Sequence, residues 1–145
     1  MTSCFPMHHL ALALWLLLTT GCESTEEPPP CTSRPAFRLQ ISAEKGDRLP
    51  KDLKVTIHYG GNGEETFELS SPSPSPQVLF CALSSEETML SCELWTDGAA
   101  NLKITGTGLK PYDKRLAATT DACGITTTLL EVKLSSQSTS AGDFL

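Results

Sequence analysis

Residues 78–95 read VLFCALSSEETMLSCELW, and this stretch decides the fold. Residues 78–83 and 89–95 have the composition of strands, and Ser84-Ser85-Glu86-Glu87-Thr88 between them reads as a turn. In the second segment Leu90, Cys92 and Leu94 alternate with Ser91 and Glu93, the period-two pattern of a strand with one buried face. Folding the hairpin about Glu86 and Glu87 sets Cys81 opposite Cys92. Directly opposed strand residues have Cβ atoms about 4.5–5.5 Å apart, close to disulfide reach.

The same alternation recurs on both sides of this hairpin. Phe37, Leu39 and Ile41 alternate with Arg38, Gln40 and Ser42, and Leu53, Val55, Ile57 and Tyr59 alternate with Lys54, Thr56 and His58. Phe67 and Leu69 flank Glu68, Leu102 and Ile104 flank Lys103, and Leu130, Val132 and Leu134 flank Glu131 and Lys133. Gly60-Gly61-Asn62-Gly63 is a turn signal, and Ser71 to Pro76 (SPSPSP) is an exposed loop whose prolines deny ladder donors. No stretch after Cys22 carries an apolar repeat of helical period. About seven short strands in roughly a hundred residues predict an all-β fold, a single small antiparallel β-sandwich of transthyretin-like or immunoglobulin-like form.

Six cysteines bear on where the chain works. Cys4 and Cys22 fall in the amino-terminal segment, leaving Cys31, Cys81, Cys92 and Cys123. Four cysteines in a small exported domain read as two disulfides, for which three connectivities are open. The hairpin favours Cys81–Cys92, and Cys31–Cys123 follows by elimination, closing a long loop. Zinc is disfavoured, because no C-x-x-C pair occurs and His58 is the single histidine beyond Cys22.

The first twenty-two residues point to export. Residues 10–18 (LALALWLLL) are too short to span a bilayer but suit a signal h-region, and Thr19, Thr20, Gly21 and Cys22 follow. This run resembles the lipobox of bacterial lipoproteins, in which a small residue precedes a lipid-bearing cysteine. Thr19 stands where the family has Leu, and no Lys or Arg precedes the apolar block. The resemblance implies a signal peptide over residues 1–21, lipidation of Cys22, and a membrane as the first partner. Cleavage near Gly21 without lipid, and an uncleaved anchor, are the alternatives. Residues 22–31, acidic and ending in prolines before Cys31, would form the tether. Residues 32–135 would form the domain, and residues 136–145 a polar tail.

A second resemblance rests on two segments. Gly46-Asp47-Arg48-Leu49-Pro50-Lys51-Asp52-Leu53-Lys54-Val55 is similar to the opening of carboxypeptidase regulatory-like domains, where a strand turns at a Gly and a Leu-Pro corner feeds the next. Residues 95–109 (WTDGAANLKITGTGL) resemble that family's later half, with a last strand over residues 125–134. Leu109 stands where the family has an aromatic residue. The resemblance implies a transthyretin-like sandwich and an accessory or binding role without catalysis.

Nothing in the residues themselves points to chemistry. There is no G-x-S-x-G, no phosphate-binding glycine loop and no H-E-x-x-H. His58 belongs to the polar side of its strand, and Glu64-Glu65 and Glu86-Glu87 read as turn carboxylates whose neighbours point apart. Asp97 and Asp121 sit in turn settings where Asp bonds nearby backbone. A net charge of −6 with no basic run offers no footprint for nucleic acid. No enzyme activity, metal or cofactor is expected. Trp95, out of phase with Leu94 at a strand end, either packs over the sandwich rim or serves as the candidate for a binding face toward a protein or glycan. The expected role is a lipid-anchored binding module of the bacterial envelope, facing the periplasm or the surface. The alternative is an exported enzyme inhibitor presenting residues 71–76.

Overall fold

The structure, a computed structural model, describes residues 31–137. The proposed signal segment, Cys22, the tether up to Pro30 and residues 138–145 lie outside the described residues. Ten strands follow in order: β1 (Phe37–Ala43), β2 (Lys54–Tyr59), β3 (Gly63–Glu68), β4 (Leu79–Leu83), β5 (Met89–Leu94), β6 (Ala100–Thr105), β7 (Tyr112–Leu116), β8 (Thr119–Asp121), β9 (Gly124–Thr126) and β10 (Thr128–Leu134). They form a sheet in the order β10-β1-β5-β4, a second in the order β3-β2-β6-β7, and a small β8-β9 ribbon.

The alternation explains the layering. Leu39 and Ile41 of β1, Leu90 and Leu94 of β5, and Val132 and Leu134 of β10 are buried. So are Val55 and Ile57 of β2 and Leu102 and Ile104 of β6, and all ten belong to one hydrophobic core. Each sheet therefore turns one face inward, the arrangement of a sandwich, and neither sheet closes on itself. A buried side chain of this size contributes about 1.5–3 kcal/mol, so shifting any central strand by one residue would be costly.

The β4–β5 hairpin has the expected register, with Cys81 paired to Cys92 and Leu83 to Leu90. Its turn closes through Ser84 N–H, which donates to Met89 O, and Glu87 takes a left-handed conformation at φ 58°. Backbone bonds at the 78/95 and 84/89 pairs make 80/93 and 82/91 hydrogen-bonded pairs as well, and leave 81/92 as a non-hydrogen-bonded one. That is the close pairing type, and the two Cα atoms lie 4.1 Å apart. Both disulfides, Cys81–Cys92 and Cys31–Cys123, are formed.

Two expectations need correction. The sandwich is not antiparallel throughout, because β10 runs parallel to β1 along its whole length, from Phe37↔Thr128 to Ala43↔Leu134. Both strands start from the same rim, where the Cys31–Cys123 bond lies shortly ahead of each, so they run in the same direction. The described residues form ten strands rather than about seven. β7 reads YDKRL and buries only Leu116, so it carries no alternation. The expected strand over residues 125–134 is broken at Thr127, whose hydroxyl donates to Pro35 O, and β9 on one side joins exposed β8 instead.

The two segments that carry the second resemblance pack together. Asp52 accepts from the backbone N–H of Thr107 at 3.1 Å and from its hydroxyl at 2.5 Å. A Cβ at Gly106 would come within 2.9 Å of Pro50 Cγ, so that position is closed to larger residues.

Candidate functional site

The segment from Cys31 to Ala36 has no strand of its own and is held by side chains. Arg34 is central to this. Its Nε donates to Ile125 O at 2.7 Å, and its Nη2 donates to Asp121 Oδ2 at 2.6 Å. Asp121 uses its other oxygen to accept the Cys123 N–H at 2.7 Å, the local backbone bond that its turn setting suggested. Thr128 N–H donates to Ala36 O, and Thr119 and Thr126 share a hydroxyl hydrogen bond across the β8–β9 ribbon. The disulfide thus sits inside a polar lattice that fixes one rim of the sandwich.

On this rim lies a hollow of about 350 Å³ walled by Ser33, Arg34, Trp95, Asp97, Cys123 and Ile125. Trp95 is 37% exposed, and its backbone N–H donates to Val78 O. The ring is therefore neither sunk in the core nor free of the fold, and it offers an aromatic face beside a carboxylate and a guanidinium. Thr96, which follows, is buried and donates from its hydroxyl to Gly98 O, giving the Trp95–Asp97 corner a fixed backbone. Asp97 lines the hollow as an exposed residue.

A second, larger hollow of about 410 Å³ runs over the outer face of the first sheet. One cross-sheet row carries it: Leu129 beside Arg38, Arg38 beside Glu93, and Glu93 beside Phe80. Leu129 is 57% exposed and Phe80 43%, while Arg38 and Glu93 form an ion pair at 3.2 Å between them. Both apolar residues were legible as out of phase: Phe80 between buried Leu79 and partly buried Cys81, and Leu129 beside Leu130. The sequence reading passed over both of them. It also passed over Arg34, since nothing local links it to Asp121, 87 positions away.

The remaining candidates lie apart from these hollows. His58 and Glu64 are cross-strand neighbours, with Nδ1 3.1 Å from Oε2, and both are exposed. Glu65, read as a turn carboxylate, lies in β3 and accepts the backbone N–H groups of Gln77 and Val78. Glu65 thereby fixes the exit of the 71–76 loop, whose own residues are largely exposed. Hydrogen bonds from the Thr107 hydroxyl and backbone N–H hold the Asp52 carboxyl below its usual range of 3.8. That group joins the 46–55 segment to Thr107. Among the described residues, no group of His, Cys, Asp and Glu side chains could hold a metal ion.

The two disulfides place the domain in an oxidising compartment, the cell envelope or the exterior. No helix among the described residues is long and apolar enough to cross a membrane. No protein-family model matches the chain, and no curated protein or solved structure matches it.

Proposed function

We propose that this protein is a lipid-anchored binding module of the bacterial cell envelope, without chemistry of its own, whose rim around Trp95 meets a protein or glycan partner. The observation that carries the anchor is the apolar block of residues 10–18 followed by Thr19-Thr20-Gly21-Cys22. Cys31 follows Cys22 by nine positions, and an extended chain spans at most about 3.3–3.6 Å per residue. An anchor on Cys22 therefore limits Cys31 to about 30 Å from the bilayer surface. Two or three acyl chains would hold it there firmly, at about 0.8 kcal/mol for each buried methylene.

The binding role rests on Trp95. A partly exposed Trp in a hollow also lined by Arg34 and Asp97 suits a sugar face or an apolar side chain with a polar neighbour. The test is a photo-crosslinking residue placed at Asp97 in cells, with a control at His58 on the other sheet. Adducts expected from position 97 should be absent at position 58 and lost in Trp95→Ala. Equal labelling at both positions, or labelling indifferent to Trp95, would refute the assignment.

The inhibitor reading keeps one observation in its favour. Glu65 fixes the exit of the exposed 71–76 loop, as a presented loop requires. Replacing residues 71–76 by a Gly-Ser stretch would abolish inhibition of an envelope peptidase or muramidase on that reading. On the binding-module reading no such inhibition exists to lose.

A further inference from the structure

The two main sheets end in four edge strands, and they are not alike. β3 carries Glu64, Glu65 and Glu68, β7 carries Asp113, Lys114 and Arg115, and β10 carries Glu131 and Lys133. β4 reads LFCAL and carries no charge and no proline. Charged side chains are the usual guard against pairing between sheet edges, so β4 alone is left unguarded. It is also tied covalently to its neighbour, since Cys81 is bonded to Cys92 of β5.

We propose that β4 pairs antiparallel with β4 of a second copy of this chain, joining two four-stranded sheets into one of eight strands. The hydrogen-bond pattern fixes the register. Residues 80 and 82 spend their backbone groups on β5, so those of Leu79, Cys81 and Leu83 point to the free edge. Pairing about a two-fold axis at Cys81 matches Leu79 with Leu83 of the second copy and Cys81 with itself, and every outward group finds a partner. On the outer face the same register sets Phe80 opposite Ala82, a large residue against a small one. The two Phe80 rings then become diagonal neighbours within reach of each other. No charged residue of β4 opposes another, because there is none.

β3 of the other sheet packs against β4, and each of its three carboxylates has a partner within the chain. Glu64 pairs with His58, Glu68 pairs with Lys54 at 3.4 Å, and Glu65 is engaged by the Gln77 and Val78 N–H groups. A second copy suits this edge better than an unrelated extended peptide, since the edge is complementary to itself in hydrogen bonding and in side-chain size.

The experiment measures the mass of the full chain in detergent by sedimentation over a range of concentration, with amide exchange in parallel. Ala82→Lys and Phe80→Glu both lie at exposed positions, and retention of both disulfides shows that they fold. The wild type should reach twice the chain mass, with the amides of Leu79, Cys81 and Leu83 protected. Both variants should weaken association at least tenfold and release those amides. A monomeric wild type, a dimer indifferent to both variants, or protection of β4 without doubling of mass would each overturn the proposal.

Discussion

The hairpin around Cys81–Cys92 and the rim around Cys31–Cys123 use the same covalent bond for different purposes. The hairpin disulfide joins residues eleven apart that a five-pair ladder already sets opposite each other. The rim disulfide joins residues 92 apart in a region where Cys31 to Ala36 has no strand and β8 is wholly exposed. In the first case backbone pairing positions the cysteines. In the second the covalent bond and the Arg34–Asp121 contacts do the positioning that a ladder cannot.

The largest expected effect follows from that difference. By loop entropy, closing 92 residues contributes about 4.6 kcal/mol and closing eleven about 2.8 kcal/mol. Cys31→Ala with Cys123→Ala should therefore cost more stability to denaturant than Cys81→Ala with Cys92→Ala. Amide exchange should separate the two further: the rim pair should release residues 119–128, while the hairpin pair leaves the β4–β5 ladder protected. If the hairpin pair cost more and also freed its ladder, the contrast would be reversed.

Arg34→Ala sharpens the rim side. Its contacts are charge-assisted but more than a third exposed, so a loss of about 1 kcal/mol is expected, with faster exchange at Ile125 and Cys123. A neutral result would leave the disulfide and the backbone contacts of Pro35 and Ala36 to hold the rim. Glu65→Ala tests the hairpin's approach, since the N–H groups of Gln77 and Val78 lose an acceptor. About 1 kcal/mol is expected, with proteolysis quickened within residues 71–78.

The smallest effect lies away from both regions, at Asp52. Its folded pKa is depressed by Thr107, so its contribution is fully present above the ordinary value of 3.8 and is lost as pH falls through the lower folded value. Asp52→Asn should thus lower stability at neutral pH, with the gap to wild type closing on acidification. A gap that widens toward acid would contradict the assignment.

The same contrast explains what was legible. Strands β1, β2, β5, β6 and β10 each bury one face, and their alternation is plain in the chain. The hairpin register followed from that alternation, and the Cys81–Cys92 pair with it. β7 was not legible, because Asp113-Lys114-Arg115 guards an open edge instead of filling a core. Glu64 and Glu65 read as turn residues because Gly60 to Gly63 precedes them, yet the turn ends at Gly63. The parallel course of β10 was hidden for a different reason. Period two shows which face of a strand is buried and is silent on its direction. Of the rim, Trp95 announced itself by its phase, whereas Arg34 gains its meaning only from residues that folding brings to it.

The central claim is a disulfide-bonded domain carried on a lipidated Cys22. Its most direct test is the intact mass of the protein extracted from membranes, before and after reduction and thiol alkylation. The expected product is a chain beginning at Cys22, heavier by its acyl groups, that takes up four alkyl groups only after reduction. An unmodified mass, or one retaining residues 1–21, would contradict it.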